Sequence, residues 1–282
     1  MKQVQMRVLQ GLGMGLLAAM LTACASTGRN VSSAGSVSSS GTEGHVPAVQ
    51  AMSLQAPQTE ERKKAKIHTD LGGLYAQDGR YAVALEEATI ALATDSGYAP
   101  AYSLQGLVHM FLGERNLAEE SFRRALSIAP NDPEINNNYG WFLCQTGRQA
   151  ESMGYFRLAY RNTLYNTPTK PYTNSGICAL GMKDYKTAEE HLNIALRIDP
   201  SNTQARYWLG ETYYQTNRLG EARQVVSDLG KMIDATVEVV WLGARIERKA
   251  GDREAELRYT TLMRRKFTDT PQYQSMIQGR FE

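Results

Sequence analysis

The side chains that could carry chemistry in this chain are few, and only the cysteines suggest a specific reaction. The four histidines are dispersed: His45, His68, His109 and His191. They form no His-Glu-x-x-His pattern and have no carboxylates at metal-ligand spacing. Acidic pairs such as Glu119-Glu120 recur at one place of a repeated pattern, which indicates a solvated helix face and not an acid–base pair. We therefore expect no enzyme activity, no metal site and no cofactor.

Cys24 ends a short apolar segment near the start of the chain. Lys2 and Arg7 precede an apolar, glycine-containing stretch over residues 8–23, which is the layout of a secretory signal. The stretch is too short for a comfortable membrane span, which needs about 20 apolar residues. Its end, Leu-Thr-Ala-Cys, resembles the bacterial lipobox, which implies cleavage before Cys24 and acylation of its thiol and new amine. The alternative is an uncleaved amphipathic helix with an incidental cysteine.

Lipid on Cys24 predicts where the mature protein resides. Each buried CH2 contributes about 0.8 kcal/mol, so two or three acyl chains anchor a protein stably whereas one chain is marginal. The residue after the cysteine is Ala25 and not aspartate. In this respect the chain resembles lipoproteins that are sorted to the outer membrane. We predict a signal peptide over residues 1–23 and a lipid-anchored mature chain on the periplasmic face of the outer membrane.

The charge balance argues against nucleic acid as a partner. Of 31 basic residues, Lys2 and Arg7 leave with the predicted signal peptide, so 29 basic residues face 29 acidic ones and the formal net charge of the mature chain is zero. Nucleic-acid binding depends on clustered Lys and Arg that neutralise phosphates. We predict no nucleic-acid partner.

Residues 24–61 are predicted to form a flexible tether. They are rich in Ser and Gly and contain no aromatic residue, so they cannot bury enough apolar surface to offset the entropy of ordering. A flexible chain of about 36 residues has an r.m.s. reach of about 30–36 Å. That reach would hold a folded body off the membrane surface.

Beyond residue 61 the sequence repeats with a period near 34 residues. A glycine recurs at Gly72, Gly106, Gly140, Gly176, Gly210 and Gly243. A small residue follows each glycine by twelve positions and a mostly bulky one follows by sixteen, as Ala118 and Phe122 follow Gly106. These positions resemble the tetratricopeptide repeat. We predict an all-α superhelix of about six helix-turn-helix repeats and twelve helices over residues 62–282, with a C-terminal capping segment and a groove lined by the first helices.

Two features mark the middle of this array. Residues 162–171 are two residues longer than the pattern and contain two prolines, which predicts a stiff loop and not a helical continuation. Cys144 and Cys178 are predicted on the first helices of repeats 3 and 4, at similar height. We predict a disulfide, because such neighbours can bring Cα atoms within about 4.4–6.8 Å and the periplasm is oxidising. Two buried thiols are the alternative.

Groove-facing side chains of the first helices are candidate contacts for a partner. They are Leu107, Met110 and Phe111 in repeat 2, Asn137, Trp141 and Gln145 in repeat 3, and Tyr207, Glu211 and Tyr214 in repeat 5. Exposed aromatic and methionine side chains beside amides suit an extended peptide or a partner helix. The alternative for each aromatic ring is packing between neighbouring first helices.

Repeats 3 and 4 contain sequence segments that resemble those of one known family. Residues 136–144 are Asn-Asn-Asn-Tyr-Gly-Trp-Phe-Leu-Cys, residues 172–180 are Tyr-Thr-Asn-Ser-Gly-Ile-Cys-Ala-Leu, and residues 164–168 between them are Leu-Tyr-Asn-Thr-Pro. They resemble the type IV pilus biogenesis lipoproteins called PilF or PilW, and the resemblance extends over the lipobox, the six repeats, the insertion and both cysteines. It implies an outer-membrane pilotin, an adaptor that binds subunits of the pilus secretin and promotes their localisation and multimerisation.

A second class of function stays open. A repeat lipoprotein can also act as a scaffold for peptidoglycan enzymes or envelope-assembly factors, which predicts recovery of cell-wall factors and normal pili in a deletion strain. Under the leading hypothesis the protein is a monomer. The acyl chains then supply the membrane address, and the groove captures an extended or strand-forming secretin segment.

Overall fold

The computed structural model describes residues 59–163, 165 and 168–281, and every regular element in this part is an α-helix. The helices are α1 Glu60–Gln77, α2 Tyr81–Thr94, α3 Ala99–Leu112, α4 Arg115–Ile128, α5 Pro133–Gln145, α6 Gln149–Arg161, α7 Thr169–Gly181, α8 Tyr185–Ile198, α9 Thr203–Gln215, α10 Leu219–Met232, α11 Val237–Ala250, α12 Arg253–Lys266 and α13 Pro271–Ile277. Over the described residues, no helix combines the length and apolar character needed to cross a membrane. The predicted signal peptide, most of the tether and Cys24 lie outside them.

The first twelve helices pair into six repeats, with α1–α2 as repeat 1 and α11–α12 as repeat 6. Each first helix packs against the first helices of adjacent repeats, and each second helix packs between its own first helix and the next one. The first helices therefore form one continuous face. This arrangement confirms the predicted all-α tetratricopeptide-repeat architecture.

The recurring glycines let the two helices of a repeat approach closely. A methyl group added at Gly106 would lie 2.9 Å from the Phe122 ring, and one at Gly140 would lie 2.9 Å from the Phe156 ring. Phe122 also lies against Phe142 of the next repeat, with ring centroids 5.4 Å apart. The bulky residue of the pattern thus fills space both within a repeat and between repeats.

Two repeats fill this space with a residue other than the predicted one. In repeat 1 the residue sixteen positions after the glycine is the small Ala88. The space is filled by Leu104 of repeat 2, which lies 2.7 Å from a methyl group added at Gly72. In repeat 5 Val225 approaches Gly210, at 2.8 Å from such a methyl group. The glycine is the constant element, and the side chain that covers it varies.

Local chemistry sets the helix starts and the turns. Seven N-caps accept a hydrogen bond through a side-chain oxygen: Thr59, Asp132, Asp184, Asn202, Thr236, Asp252 and Thr270. Glycines with positive φ close four of the turns inside repeats: Gly79, Gly113, Gly147 and Gly251. Lys183 and Asn217 hold the equivalent turns of repeats 4 and 5, with φ of 62° and 61°. Their backbone lies in the left-handed region, which glycine adopts at lower conformational energy than any residue with a Cβ atom.

One prediction about an element boundary is wrong. Pro171 is not part of the loop between repeats 3 and 4, because α7 begins at Thr169 and buries Pro171 in its first turn. A proline is tolerated there, since an N–H in the first turn has no partner inside the helix. In the segment predicted as the C-terminal cap, the described chain forms a thirteenth helix: Met276 of α13 packs with Val240 and Met263, so α13 covers the apolar end of repeat 6.

Candidate partner-binding groove

The continuous face of the first helices carries the predicted groove residues, but they differ in exposure. The buried ones are Met110, Asn137, Tyr207, Glu211 and Tyr214. The half-buried ones are Leu107, Phe111, Trp141 and Gln145. The expectation that Met110, Tyr207 and Tyr214 are exposed is therefore wrong, because their side chains lie inside the packed layer. The half-buried set is what a partner could touch directly.

The half-buried apolar side chains lie over repeats 2 and 3. Leu107, Phe111 and Trp141 all pack against the core cluster that contains Phe142. Phe111 also stacks on Tyr81 of repeat 1, with ring centroids 5.8 Å apart and an interplanar angle of 12°. Each of these side chains thus takes part in packing between repeats and keeps an accessible part. A partner laid across repeats 2 and 3 would meet these apolar edges.

A chain of hydrogen-bonded polar side chains, which we call the amide ladder, crosses the same face; its members are Ser103, Asn138, Asn137 and Asn174. Asn174 on α7 donates to Oδ1 of Asn137 on α5 over 3.0 Å. Asn137 donates to Oδ1 of Asn138 over 3.2 Å. Asn138 then donates to Oγ of Ser103 on α3 over 3.2 Å. Ser103 and Asn137 are buried, whereas Asn138 and Asn174 are half-buried.

The sequence pattern singled out only Asn137 of this ladder. The signal for Asn138 is the run of three asparagines at residues 136–138, because asparagine is a poor former of helix interiors. Asn136 is explained locally, since its Nδ2 donates to the carbonyls of Pro130 and Asp132 over 2.8 Å. The other two asparagines join α5 to its neighbours on both sides.

Two opposite charges are buried together where repeats 5 and 6 meet. Arg245 on α11 donates to both carboxylate oxygens of Glu211 on α9, at 2.9 and 3.0 Å. Its guanidinium lies 4.3 Å from the centroid of the Tyr214 ring, and its Nε donates to the carbonyl of Phe281 over 3.2 Å. Burial alone would lower the pKa of Arg245, but the charge and hydrogen bonds of Glu211 raise it overall. The charges of Arg245 and Glu211 therefore pair inside the fold, where both side chains are buried.

Cys144 and Cys178 meet between α5 and α7. Their sulfur atoms are at bonding distance and their Cα atoms are 5.9 Å apart. Phe156 shares the buried cluster around them, and Oγ of Ser152 lies 3.2 Å from Sγ of Cys178. The two thiols are thus positioned to hold the first helices of repeats 3 and 4 together.

The acidic pairs do more than cover a solvated face. Arg148 of repeat 3 forms an ion pair with Glu119 of repeat 2 at 2.8 Å, and Arg218 of repeat 5 forms one with Glu189 of repeat 4 at 2.7 Å. Both pairs have the same sequence separation of 29 residues. Partly exposed pairs of this kind contribute about 0.2–1 kcal/mol each, so they join neighbouring repeats but add little to stability.

The described histidines make local contacts. Their ring nitrogens lie 2.7–2.8 Å from the partner oxygen in the pairs His68–Glu87, His109–Glu114 and His191–Ser175. In the described part of the chain no group of three or more His, Cys, Asp or Glu side chains is placed to hold a metal ion. The absence of an enzyme activity stays a prediction.

Comparisons with known proteins agree with this architecture. Residues 99–132 and 179–236 match family models described as tetratricopeptide repeat. The type IV pilus assembly protein PilF of Pseudomonas aeruginosa is 26% identical over 215 residues, which cover 76% of this chain and 84% of that protein.

Solved structures extend the likeness to nearly whole proteins. A crystal structure of PilW, described as a widely conserved type IV pilus biogenesis factor, is 31% identical with a TM-score of 0.71, and the match covers 76% of this chain and 98% of that chain. A structure of Pseudomonas aeruginosa PilF has the same fold, with a TM-score of 0.67 at 24% identity over 78% of this chain and 100% of that chain. The chain therefore belongs to the PilF/PilW family of tetratricopeptide-repeat proteins of type IV pilus biogenesis.

Proposed function

We propose that this protein is an outer-membrane pilotin, a lipid-anchored adaptor that binds subunits of the type IV pilus secretin and promotes their localisation and multimerisation. The observation that carries the proposal is the likeness to PilW, a pilus biogenesis factor, over 98% of that chain at 31% identity. In this role the protein is a monomer that holds its partner and catalyses no reaction.

Cys24 supplies the membrane address. Acyl chains on its thiol and amine anchor the chain to the outer membrane from the periplasmic side. The tether over residues 24–61 then gives the repeat domain a search radius of about 30–36 Å. In this role the repeat domain captures a secretin subunit in the periplasm, before the subunit inserts into the outer membrane.

The groove over repeats 2 and 3 supplies selectivity. Leu107, Phe111, Trp141 and Gln145 are half-buried there and offer apolar edges beside amide groups. The buried groove residues pack between the first helices beneath this surface and hold the helices in place. A disulfide between Cys144 and Cys178 forms in the oxidising periplasm and fixes α5 against α7 at the edge of this surface.

The test is co-purification from detergent-solubilised cells that express the full chain or its Cys24→Ala variant. We expect the wild-type chain to recover a secretin, and the Cys24→Ala variant to lose the outer-membrane secretin multimer. Ala25→Asp is the matched control, because it keeps the lipid but changes the sorting residue, and we expect it to move the multimer to the inner membrane.

Two results would overturn the proposal. One is a Cys24→Ala strain with outer-membrane multimers at the wild-type level. The other is recovery of peptidoglycan enzymes in place of a secretin, with normal pili in the deletion strain, which would support the scaffold alternative.

A further inference from the structure

We propose that the amide ladder binds the main chain of an extended, uncharged peptide segment that lies across α3, α5 and α7. This inference rests on the proposed use of the groove and names the chemical form of its ligand. It makes the peptide backbone the recognised feature, with apolar side chains adding to the affinity.

The half-buried amides of the ladder have hydrogen-bonding capacity that the fold does not use. A primary amide has two N–H donors and an oxygen with two lone pairs. Asn174 uses one N–H, to Asn137, and among the described residues its oxygen accepts no hydrogen bond. Asn138 donates once, to Ser103, and accepts once, from Asn137. Each amide thus offers a donor and an acceptor, which match the C=O and N–H of a peptide unit.

The spacing of the helices suits an extended chain. Packed helices lie about 8–10 Å apart, and an extended chain advances about 3.1–3.4 Å per residue. Amides on α5 and α7 would therefore meet peptide units about three residues apart. A bound α-helix would offer no such match, because its own N–H and C=O groups are already paired along the helix.

Apolar side chains flank the ladder one helical turn away. Leu107 follows Ser103 by four residues, Trp141 follows Asn137 by four, and Ile177 follows Asn174 by three. Residues three or four apart share a helix face, so this apolar row runs parallel to the ladder. Side chains of a peptide held by its main chain would reach Leu107 and Trp141, which are half-buried, whereas Ile177 is buried.

The charges of these three helices cancel each other. Glu134 and Lys170 are their only Asp, Glu, Lys or Arg residues, and they pair at 3.0 Å. A charged side chain placed over the ladder would lose hydration without gaining a partner. The segment that binds here is therefore uncharged along its central residues.

The experiment titrates the detergent-solubilised full chain with a fluorescent, acetylated and amidated peptide, Thr-Val-Ser-Leu-Thr-Val-Ser-Leu-Thr, and follows anisotropy. Asn138→Ala and Asn174→Ala should each weaken binding about fivefold or more, the equivalent of one hydrogen bond. Asn116→Ala on α4, an exposed amide outside the groove, is the matched control and should leave binding unchanged. A probe that is N-methylated at every internal residue lacks the N–H donors that the ladder would accept, and we expect it to bind about tenfold more weakly or worse.

The inference is overturned if the parent probe does not bind at about 1 mM, or if the N-methylated probe binds wild-type protein as well as the parent does. Binding unchanged in both ladder variants would overturn it too. The N-methylated probe acts on the wild-type chain, so the test stands even if a variant misfolds. Secretin recovery without peptide binding contradicts this inference alone, and peptide binding without secretin recovery contradicts the proposed function alone.

Discussion

Two junctions between first helices occupy the same place in the repeat and use different chemistry. Cys144 and Cys178 meet between α5 and α7, with Cα atoms 5.9 Å apart. At the equivalent positions of repeats 5 and 6, the guanidinium of Arg245 lies over the Tyr214 ring and pairs with Glu211. The repeat geometry brings each pair of positions together, and the residues there decide whether the contact depends on redox state or on matched charge.

The largest effect should come from breaking the charged junction. Arg245→Met leaves the Glu211 carboxylate buried without a counter-charge, and we expect a loss of about 3–5 kcal/mol in the free energy of unfolding. The double variant Arg245→Met with Glu211→Met removes both charges and should recover most of that loss. Urea unfolding of the three proteins measures this. A single-variant loss below about 1 kcal/mol would contradict a structural role for the pair.

Removing the contact between Cys144 and Cys178, which we call the sulfur junction, should lower the free energy of unfolding by slightly less. The two cysteines are 34 residues apart, and closing a loop of that length corresponds to about 3–4 kcal/mol in the loop-entropy model. The variant Cys144→Ser with Cys178→Ser should show this loss in urea unfolding, and a thiol reductant should reproduce it in the wild-type protein. Arg245→Met should lose a similar further amount on reduction. If the reductant leaves the wild-type midpoint unchanged, the two thiols do not form a disulfide.

Lowering the pH should produce a smaller loss of stability, through a histidine on the side of the sulfur junction. His191 lies against Tyr160 and Tyr172, and Tyr160 also packs against the cluster that contains both cysteines. Burial lowers the pKa of His191 below the ordinary 6.5. The unfolded chain then binds the proton first, so the stability present above about pH 6.5 is lost as the pH falls towards the folded pKa. Urea unfolding between about pH 5.5 and 7.5 should show this slope. His191→Gln should flatten it, and an equal slope in that variant would contradict the assignment.

The smallest effect concerns the turns that follow α7 and α9. Lys183 and Asn217 both have positive φ, a conformation that asparagine tolerates better than lysine. Lys183→Gly should therefore stabilise the protein by up to about 1 kcal/mol, whereas Asn217→Gly should change the free energy of unfolding by less than about 0.5 kcal/mol. Thermal unfolding of the two variants compares them directly. A larger gain at residue 217 than at residue 183 would contradict this explanation.

The sequence predicts the repeat and the meeting of Cys144 with Cys178, but not the charged junction. Glycine spacing is a local pattern with a single packing solution, so the paired helices and the neighbouring positions of Cys144 and Cys178 follow from it. Arg245 and Glu211 are 34 residues apart, one repeat length, but a charged pair at that spacing could equally lie on the surface. The burial of Tyr207 and Tyr214 does not follow from the repeat pattern, because it depends on contacts with the next repeat, such as Arg245 and Lys249 over the Tyr214 ring. The sequence predicts a C-terminal capping segment but not that it is helical, since the seven residues of α13 are too few for a periodic signal.

The central claim is that the groove over repeats 2 and 3 binds secretin, and the most direct measurement is the amount of outer-membrane secretin multimer in cells that carry Trp141→Ala with Phe111→Ala. The matched control is Leu158→Ala with Ile198→Ala, which truncates two side chains of the second helices that are 53% and 47% exposed. At equal protein levels, we predict that the groove variant loses the multimers and pilus extension while the control keeps both. Wild-type multimers and pili in the groove variant would contradict the account.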